Sequence, residues 1–267
     1  MTICISVRVA EGLVLAADSA SMLQGSIKGG PTTILQTFEF ANKITRILDE
    51  KPIGVMSWGI GSISDRSIQS LVMEFAYEYD APASNPYDVK VVADAFLDFI
   101  KQRYESAYPD KKNQPRLGLF VGGYSSGQFF SDQFTYEFPA STDWTVVRPN
   151  SADGSLDFGA NWYGLTDALT RLIRGFDPSA LDELVKRGVD RGVIQKWVND
   201  SVSDLTIVFD GMPLQDAIDF ANFAAQVVIG RYRFGIGPPL CGGDVDIAVI
   251  TPADFQWAQR KQWATTG

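Results

Sequence analysis

Residues 2–9, Thr-Ile-Cys-Ile-Ser-Val-Arg-Val, alternate strictly, with Ile3, Ile5, Val7 and Val9 on one face and Thr2, Cys4, Ser6 and Arg8 on the other. That period of two predicts a half-buried strand. Ala10-Glu11-Gly12 reads as a turn, and Leu13–Ala17 returns as a second strand, apolar on both faces. Further strands are predicted at Thr33–Phe38, Lys43–Leu48, Ile53–Trp58, Arg116–Gly122, Gln128–Phe138 and Val245–Ile250. The period changes to that of a helix over 62–79, where Ile68, Leu71, Val72, Phe75 and Tyr79 form one stripe. A second helix is predicted over 86–105, with Asn85 as its cap and Pro86 in its first turn. A third spans 213–230, and further helix is predicted at 164–174 and 178–199, separated by Gly175-Phe176-Asp177-Pro178.

Strands and helices come in blocks and do not alternate as a doubly wound parallel sheet would require. The order fits an α+β chain, a four-layer α/β/β/α sandwich of two antiparallel sheets flanked by helices. No repeat, linker or composition shift divides the 267 residues. One domain over 1–267 is expected, with a helical insertion at about 176–212.

Composition narrows the chemistry. Hydrophobic residues make up 45% and charged residues 21%, which is globular rather than disordered. Net charge is −9 and no Lys/Arg cluster is present, so nucleic acid is not expected as a partner. No apolar run reaches the roughly 20 residues that span a bilayer, and the N-terminus lacks signal-peptide organisation. The expected location is cytoplasmic, with no membrane partner. Two cysteines, Cys4 and Cys241, are too few for a disulfide framework or a four-cysteine metal site. The chain has no histidine, which removes Ser-His-Asp and Cys-His catalysis and HExxH zinc sites together. A hydrolytic base here must be a carboxylate, a lysine or a terminal amine. Neither metal nor cofactor is expected.

The first hairpin places two groups of interest together. Pairing Val9 with Leu13 across a three-residue loop sets Thr2 opposite Ala20, with Asp18 diagonal on the same face. An ordinary edge strand that happens to hold a threonine accounts for the same spacing.

The run Thr2-Ile-Cys-Ile-Ser-Val-Arg-Val-Ala-Glu-Gly-Leu-Val-Leu-Ala-Ala-Asp18-Ser19 resembles the N-terminus of mature proteasome β subunits and their bacterial relatives, the N-terminal-nucleophile (Ntn) hydrolases. Asn42-Lys43-Ile-Thr-Arg-Ile resembles the strand of the family's catalytic lysine. Val55-Met-Ser-Trp-Gly59-Ile-Gly-Ser resembles its oxyanion turn. Phe120-Val-Gly-Gly-Tyr and Gly242-Gly-Asp-Val-Asp-Ile-Ala-Val-Ile resemble the middle and last strands, and Gly237-Pro-Pro resembles the Anbu-type bacterial proteasome ancestors.

The resemblance implies a threonine-type peptidase. Thr2, freed by loss of Met1, would be the nucleophile with its own α-amine as base. Asp18 would orient Lys43, and the Gly59 N–H would serve the oxyanion hole. Ala20, Met22 and Ser57 would line the substrate pocket. It also implies a homo-oligomer, ring or open helical stack, acting on peptide or unfolded protein, with any ATPase unfoldase a separate protein. The 62–79 and 86–105 helices would supply subunit contacts. Ala20 stands where many relatives carry arginine, and three further positions depart from the family pattern. Ala160 stands where a serine is expected beside the nucleophile, and the aspartate and serine before the last strand fall near Pro238 and Cys241. An inactive structural subunit and an amidase acting on a small amide remain as alternatives.

Overall fold

The computed structural model describes residues 2–25, 33–79, 86–149, 156–201 and 207–261. The alternating opening segment forms β1 (Ile3–Val9), and the chain returns as β2 (Gly12–Asp18). Cys4 pairs with Ala17 and Val9 with Gly12, so the loop is Ala10-Glu11, one residue shorter than the sequence suggests. Gly12 can stay in the ladder because it lacks a side chain: a Cβ there would lie 3.0 Å from Leu214 and 3.1 Å from the Ile250 carbonyl. A slip of one residue changes every partner. Thr2 therefore aligns with Ser19, not Ala20, and Asp18 belongs to the other alternation of β2.

A small ribbon follows, β3 (Ser21–Gly25) with β4 (Thr33–Phe38), paired to neither large sheet. Next come β5 (Ile44–Arg46), shorter than the predicted 43–48, and β6 (Ile53–Gly59). The helix predicted over 62–79 begins only at Ile68, where its apolar stripe starts. Residues 62–67 turn back as β7 (Ser62–Ile63) and β8 (Arg66–Ser67), with Ser64 at φ 52° between them. Helix α1 (Ile68–Glu78) then starts under Ser67, whose Oγ accepts the Ser70 N–H at 3.0 Å. Helix α2 (Val89–Ala107) is capped by Asp88, whose carboxylate accepts the Lys90 and Val91 N–H groups. Pro86 therefore precedes the helix, and Asn85 lies outside the described residues.

After β9 (Leu117–Gly123), β10 (Asp132–Phe138) and β11 (Thr145–Val146) comes β12 (Gly159–Gly164), a strand the sequence reading missed. Helix α3 (Asp167–Arg174) ends on Gly175 in the left-handed region, and Asp177 caps α4 (Pro178–Lys186), as the break signal predicts. The expected single helix over 178–199 is two. Gly188 at φ 89° separates α4 from α5 (Arg191–Ser201). Helix α6 (Leu214–Arg233) and the final hairpin, β13 (Val245–Ile250) with β14 (Phe255–Gln259), complete the order.

One five-stranded sheet runs β12-β1-β2-β13-β14 and the other β11-β10-β9-β6-β5, with antiparallel pairing throughout both. Their side chains sort by alternation. Ile3, Ile5 and Val7 of β1 and Val14 and Ala16 of β2 pack with Ala217, Ala221, Ala224 and Val228 of α6, whose small residues let the helix sit close. Leu117, Leu119 and Val121 of β9 pack with Phe75 of α1 and Phe96 of α2. A third cluster joins both sheets, with Cys4, Leu13, Leu15 and Ala248 from one and Met56, Trp58 and Phe120 from the other. The chain is a mixed α+β fold of antiparallel sheets with six helices among the described residues. None of those helices is long and apolar enough to cross a membrane.

Candidate active site

Both large sheets contribute to one cleft of about 590 Å³, and Thr2, Ala20, Met22, Lys43, Ser57 and Gly59 all line it. Thr2 is 6% exposed at the start of β1. Its carbonyl accepts the Leu165 N–H at 2.9 Å, and a Cβ on Gly164 would lie 2.1 Å from that same oxygen. Only glycine, at φ 83°, allows the β12–α3 turn to close on the chain start.

Behind the cleft lies Asp18, 1% exposed. Its Oδ1 accepts the Lys43 ammonium at 2.7 Å and the Ile3 N–H at 3.1 Å, and its Oδ2 accepts the Gly242 N–H at 3.0 Å. Asp18 thus reaches Lys43 from the end of β2, not as the diagonal neighbour of Thr2 that a three-residue loop would give. Three donors, one ammonium and two backbone N–H groups, converge on this carboxylate in a site closed to water, and such charge-assisted bonds are about twice as strong as neutral ones. Lys43 is itself 9% exposed, with its carbonyl bonded to the Ser57 N–H at 3.1 Å. Asp18 uses one of the three donors of that ammonium.

Gly59 ends β6 at φ 92°. A Cβ there would lie 2.2 Å from the Arg116 carbonyl, so the position admits no side chain. Strand backbone groups alternate sides. The Ser57 N–H is directed to the β5 side, where it meets the Lys43 carbonyl, and the Ile60 N–H is directed to the β9 side, where it meets Arg116. The Gly59 N–H therefore points toward the β5 side, beyond the last β5–β6 pair at Ile44 and Met56. There the cleft opens. Trp58 walls it, stacked on Tyr163 at 4.7 Å and held by Glu137 at 3.2 Å.

Two of the departures read from the sequence are relocated. Ala160 pairs with Val7, far along β1 from Thr2. The turn beside Thr2 is Gly164-Leu165-Thr166, in which the Leu165 N–H bonds the Thr2 carbonyl and the Leu165 side chain joins the apolar cluster of Ile3 and Ile5. Cys241 is buried and adjoins Gly242, which binds Asp18 through its N–H and Ser19 and Ala20 through its carbonyl. Burial pushes the Cys241 thiol up to about 12 and raises Cys4 further, beyond the smaller opposing pull of Lys43. Neither is a thiolate, and the Cys4 thiol donates to the Ser57 carbonyl at 3.4 Å. Tyr124 and Tyr163 are likewise raised to about 12 by burial.

In the unfolded chain these groups ionise near their ordinary values, about 8.5 for Cys and 10 for Tyr. The unfolded state then binds fewer protons than the folded one, and stability falls as pH rises. Urea midpoints should be flat from pH 7 to about 8. Above that they should fall, as the unfolding free energy drops by about 1.4 kcal/mol per pH unit for each ionising group. A midpoint unchanged at pH 10.5 would count against this burial.

Among solved structures the chain is similar to Anbu (ancestral beta-subunit) from Yersinia bercovieri, at TM-score 0.53 and 12% identity, over 96% of this chain and 86% of that one. The fold is proteasome-like. No protein-family model matches the sequence, and no curated protein matches it. The sequence places Trp58 beside the pocket but does not give the β12–α3 turn, the Gly242 N–H on Asp18 or the stacking of Tyr163 on Trp58. Glycine immediately before a helix, in Gly164-Leu-Thr-Asp, was the available signal for the turn.

Proposed function

We propose that the chain is a threonine-type peptidase of the proteasome β-subunit class, a single four-layer Ntn-hydrolase domain carrying an insertion at about 176–212. The observation that carries this reading is the buried Lys43–Asp18 pair, 2.7 Å apart, bordering the same cleft as Thr2. Once Met1 is removed, Thr2 Oγ1 attacks a peptide carbonyl and its proton passes to the Thr2 α-amine. Such an amine has an ordinary pKa of about 7.7–8.0 and so is partly neutral near pH 7. Lys43 stabilises the developing alkoxide, Asp18 fixes Lys43, and the Gly59 N–H receives the oxyanion. The amine returns the proton to the leaving nitrogen, and water, deprotonated by the same amine, releases the acyl group. Ala20, Met22 and Ser57 shape the side-chain pocket for a small or apolar residue. An insertion at 176–212 is supported by α4, which buries no residue, and α5, which buries Ile194.

The protein acts in the cytoplasm as a homo-oligomer, and Met73 and Tyr77 of α1 and Val91 of α2, all exposed, are its subunit-contact candidates. A separate ATPase would deliver unfolded substrate. Intact mass and peptide cleavage test the reading together. The purified protein should be lighter by one methionine and cleave fluorogenic peptides, and Thr2→Ala should lower the rate at least 10³-fold, in keeping with loss of a nucleophile. A full-length mass, or equal cleavage by Thr2→Ala, would instead favour an inactive structural subunit. Leu165, which offers no hydroxyl beside Thr2, is the feature that supports that second reading.

A further inference from the structure

A second buried lysine–aspartate pair lies one strand away from the first. Asp246 occupies the alternation of β13 that also holds Ala248 and Ile250, and it pairs with Ala17. A carboxylate is thereby set into the apolar layer between the sheets. The chain leaving β14 closes over it. The Lys261 N–H donates to Asp246 Oδ1 at 2.9 Å and its ammonium to Oδ2, with the two side chains 2% and 4% exposed. Burying two charges costs desolvation that their attraction does not reliably recover, and well-packed apolar replacements are often as stable. Stability alone is therefore a weak reason for this pair.

Its geometry supplies another. The Lys261 ammonium also donates to the Ala41 carbonyl at 3.0 Å, two residues before Lys43. The Ala41 N–H is bonded to the Ser19 carbonyl at 2.9 Å, and the Lys43 carbonyl accepts the Ser57 N–H at 3.1 Å. Residues 39–43 have no regular structure and follow the β3–β4 ribbon, which pairs with neither five-stranded sheet. Asn42 donates to Gln69 of α1 at 2.8 Å and Lys43 to Asp18 at 2.7 Å, but the Ala41 carbonyl is held by the Lys261 ammonium.

We infer that Lys261, fixed by Asp246, is a positioning residue that holds the 41–43 segment so that Lys43 faces Thr2. The inference rests on the peptidase reading for its catalytic consequence and on the hydrogen bonds alone for its structural one. A reacting constellation displaced by about 1 Å can lose about 10²-fold in rate. A less fixed positive charge beside Thr2 also favours loss of the amine proton less strongly.

The test uses the full chain and the double variant Asp246→Leu/Lys261→Met, which removes both charges and strands neither. Covalent addition of a tripeptide epoxyketone to Thr2, whose Oγ1 adds to the ketone and whose α-amine opens the epoxide, is followed by intact mass from pH 6 to 9. The double variant should keep its cooperative thermal transition, react about 10–100-fold more slowly, and show a pH–rate midpoint moved to higher pH. Lys261→Arg should restore the rate to within about threefold, since it keeps a cationic donor. A double variant that reacts at the parental rate with the parental pH profile overturns the inference. If the parent reacts no faster than Thr2→Ala, the peptidase reading fails and amide exchange decides the positioning claim. Ala41 and Ser57 N–H groups exchanging at least tenfold faster in the double variant, with Val121 unchanged, support it. Unchanged exchange at both overturns it.

Discussion

Asp18→Ala is expected to destabilise the protein by about 5 kcal/mol, enough to lower the thermal midpoint by about 10–20 °C. The substitution leaves the Lys43 ammonium buried without its partner, and breaking a buried ion pair from one side typically costs about 3–5 kcal/mol. It also strips acceptors from the Ile3 and Gly242 N–H groups, each of which carries a further penalty of about 1–3 kcal/mol when left unpaired. Removing both charges should recover much of this. Asp18→Ala/Lys43→Met is expected to be clearly more stable than Asp18→Ala alone, because no stranded charge remains. Chemical denaturation of the parent, the two single variants and the double variant closes the cycle. A coupling energy near zero would mean that the pair is not held as described.

Gly59→Ala is the second large effect. Placing alanine at φ 92° costs about 1–3 kcal/mol, and the new Cβ would meet the Arg116 carbonyl at 2.2 Å, adding about 1–3 kcal/mol of overpacking. Gly127→Ala separates these contributions, since Gly127 has φ 74° with nothing within 4 Å of its Cβ position. Gly59→Ala should therefore be the more destabilising of the two. On the proposed peptidase reading it should also slow peptide cleavage about 10²–10³-fold by moving the proposed oxyanion donor, whereas Gly127→Ala should leave cleavage unchanged. Equal melting temperatures for the two variants would contradict the close approach at Gly59.

Where one period dominated, the sequence was readable. β1, β2, β6, β9 and β13 lie where the alternation or apolar runs predict them, because burial on one or both faces leaves a pattern that local signals do not contradict. The break at Gly175–Pro178 was legible for a similar reason, since an αL glycine and a capped proline act locally. β12 was not legible. It is six residues bounded by glycines, and half of it, Asn161-Trp162-Tyr163, is only partly buried. Its place is set by pairing with β1, which the sequence does not encode nearby.

The candidate site shows the same division. Thr2, Asp18, Lys43 and Gly59, which the fold brings to or behind one cleft, were singled out through motifs carried by single elements. The hairpin register was off by one because Gly12, read as part of the turn, pairs in the ladder under Leu214 and Ile250. Leu165, Gly242 and Lys261 were invisible because each acts through a backbone hydrogen bond to a segment far away in the chain.

That distance bears on synthesis. The third hydrogen bond to Asp18 comes from Gly242, 224 residues downstream, and β1 waits for β12 and β2 for β13 before either has its outer neighbour. At about 5–20 residues per second, a ribosome takes about 10–45 s to make that stretch. Asp18 and Lys43 are therefore made long before the Gly242 N–H that completes the carboxylate's set of donors. A nascent chain thus holds the Asp18–Lys43 pair short of one donor until Gly242 is made, and products truncated before Gly242 lack that hydrogen bond.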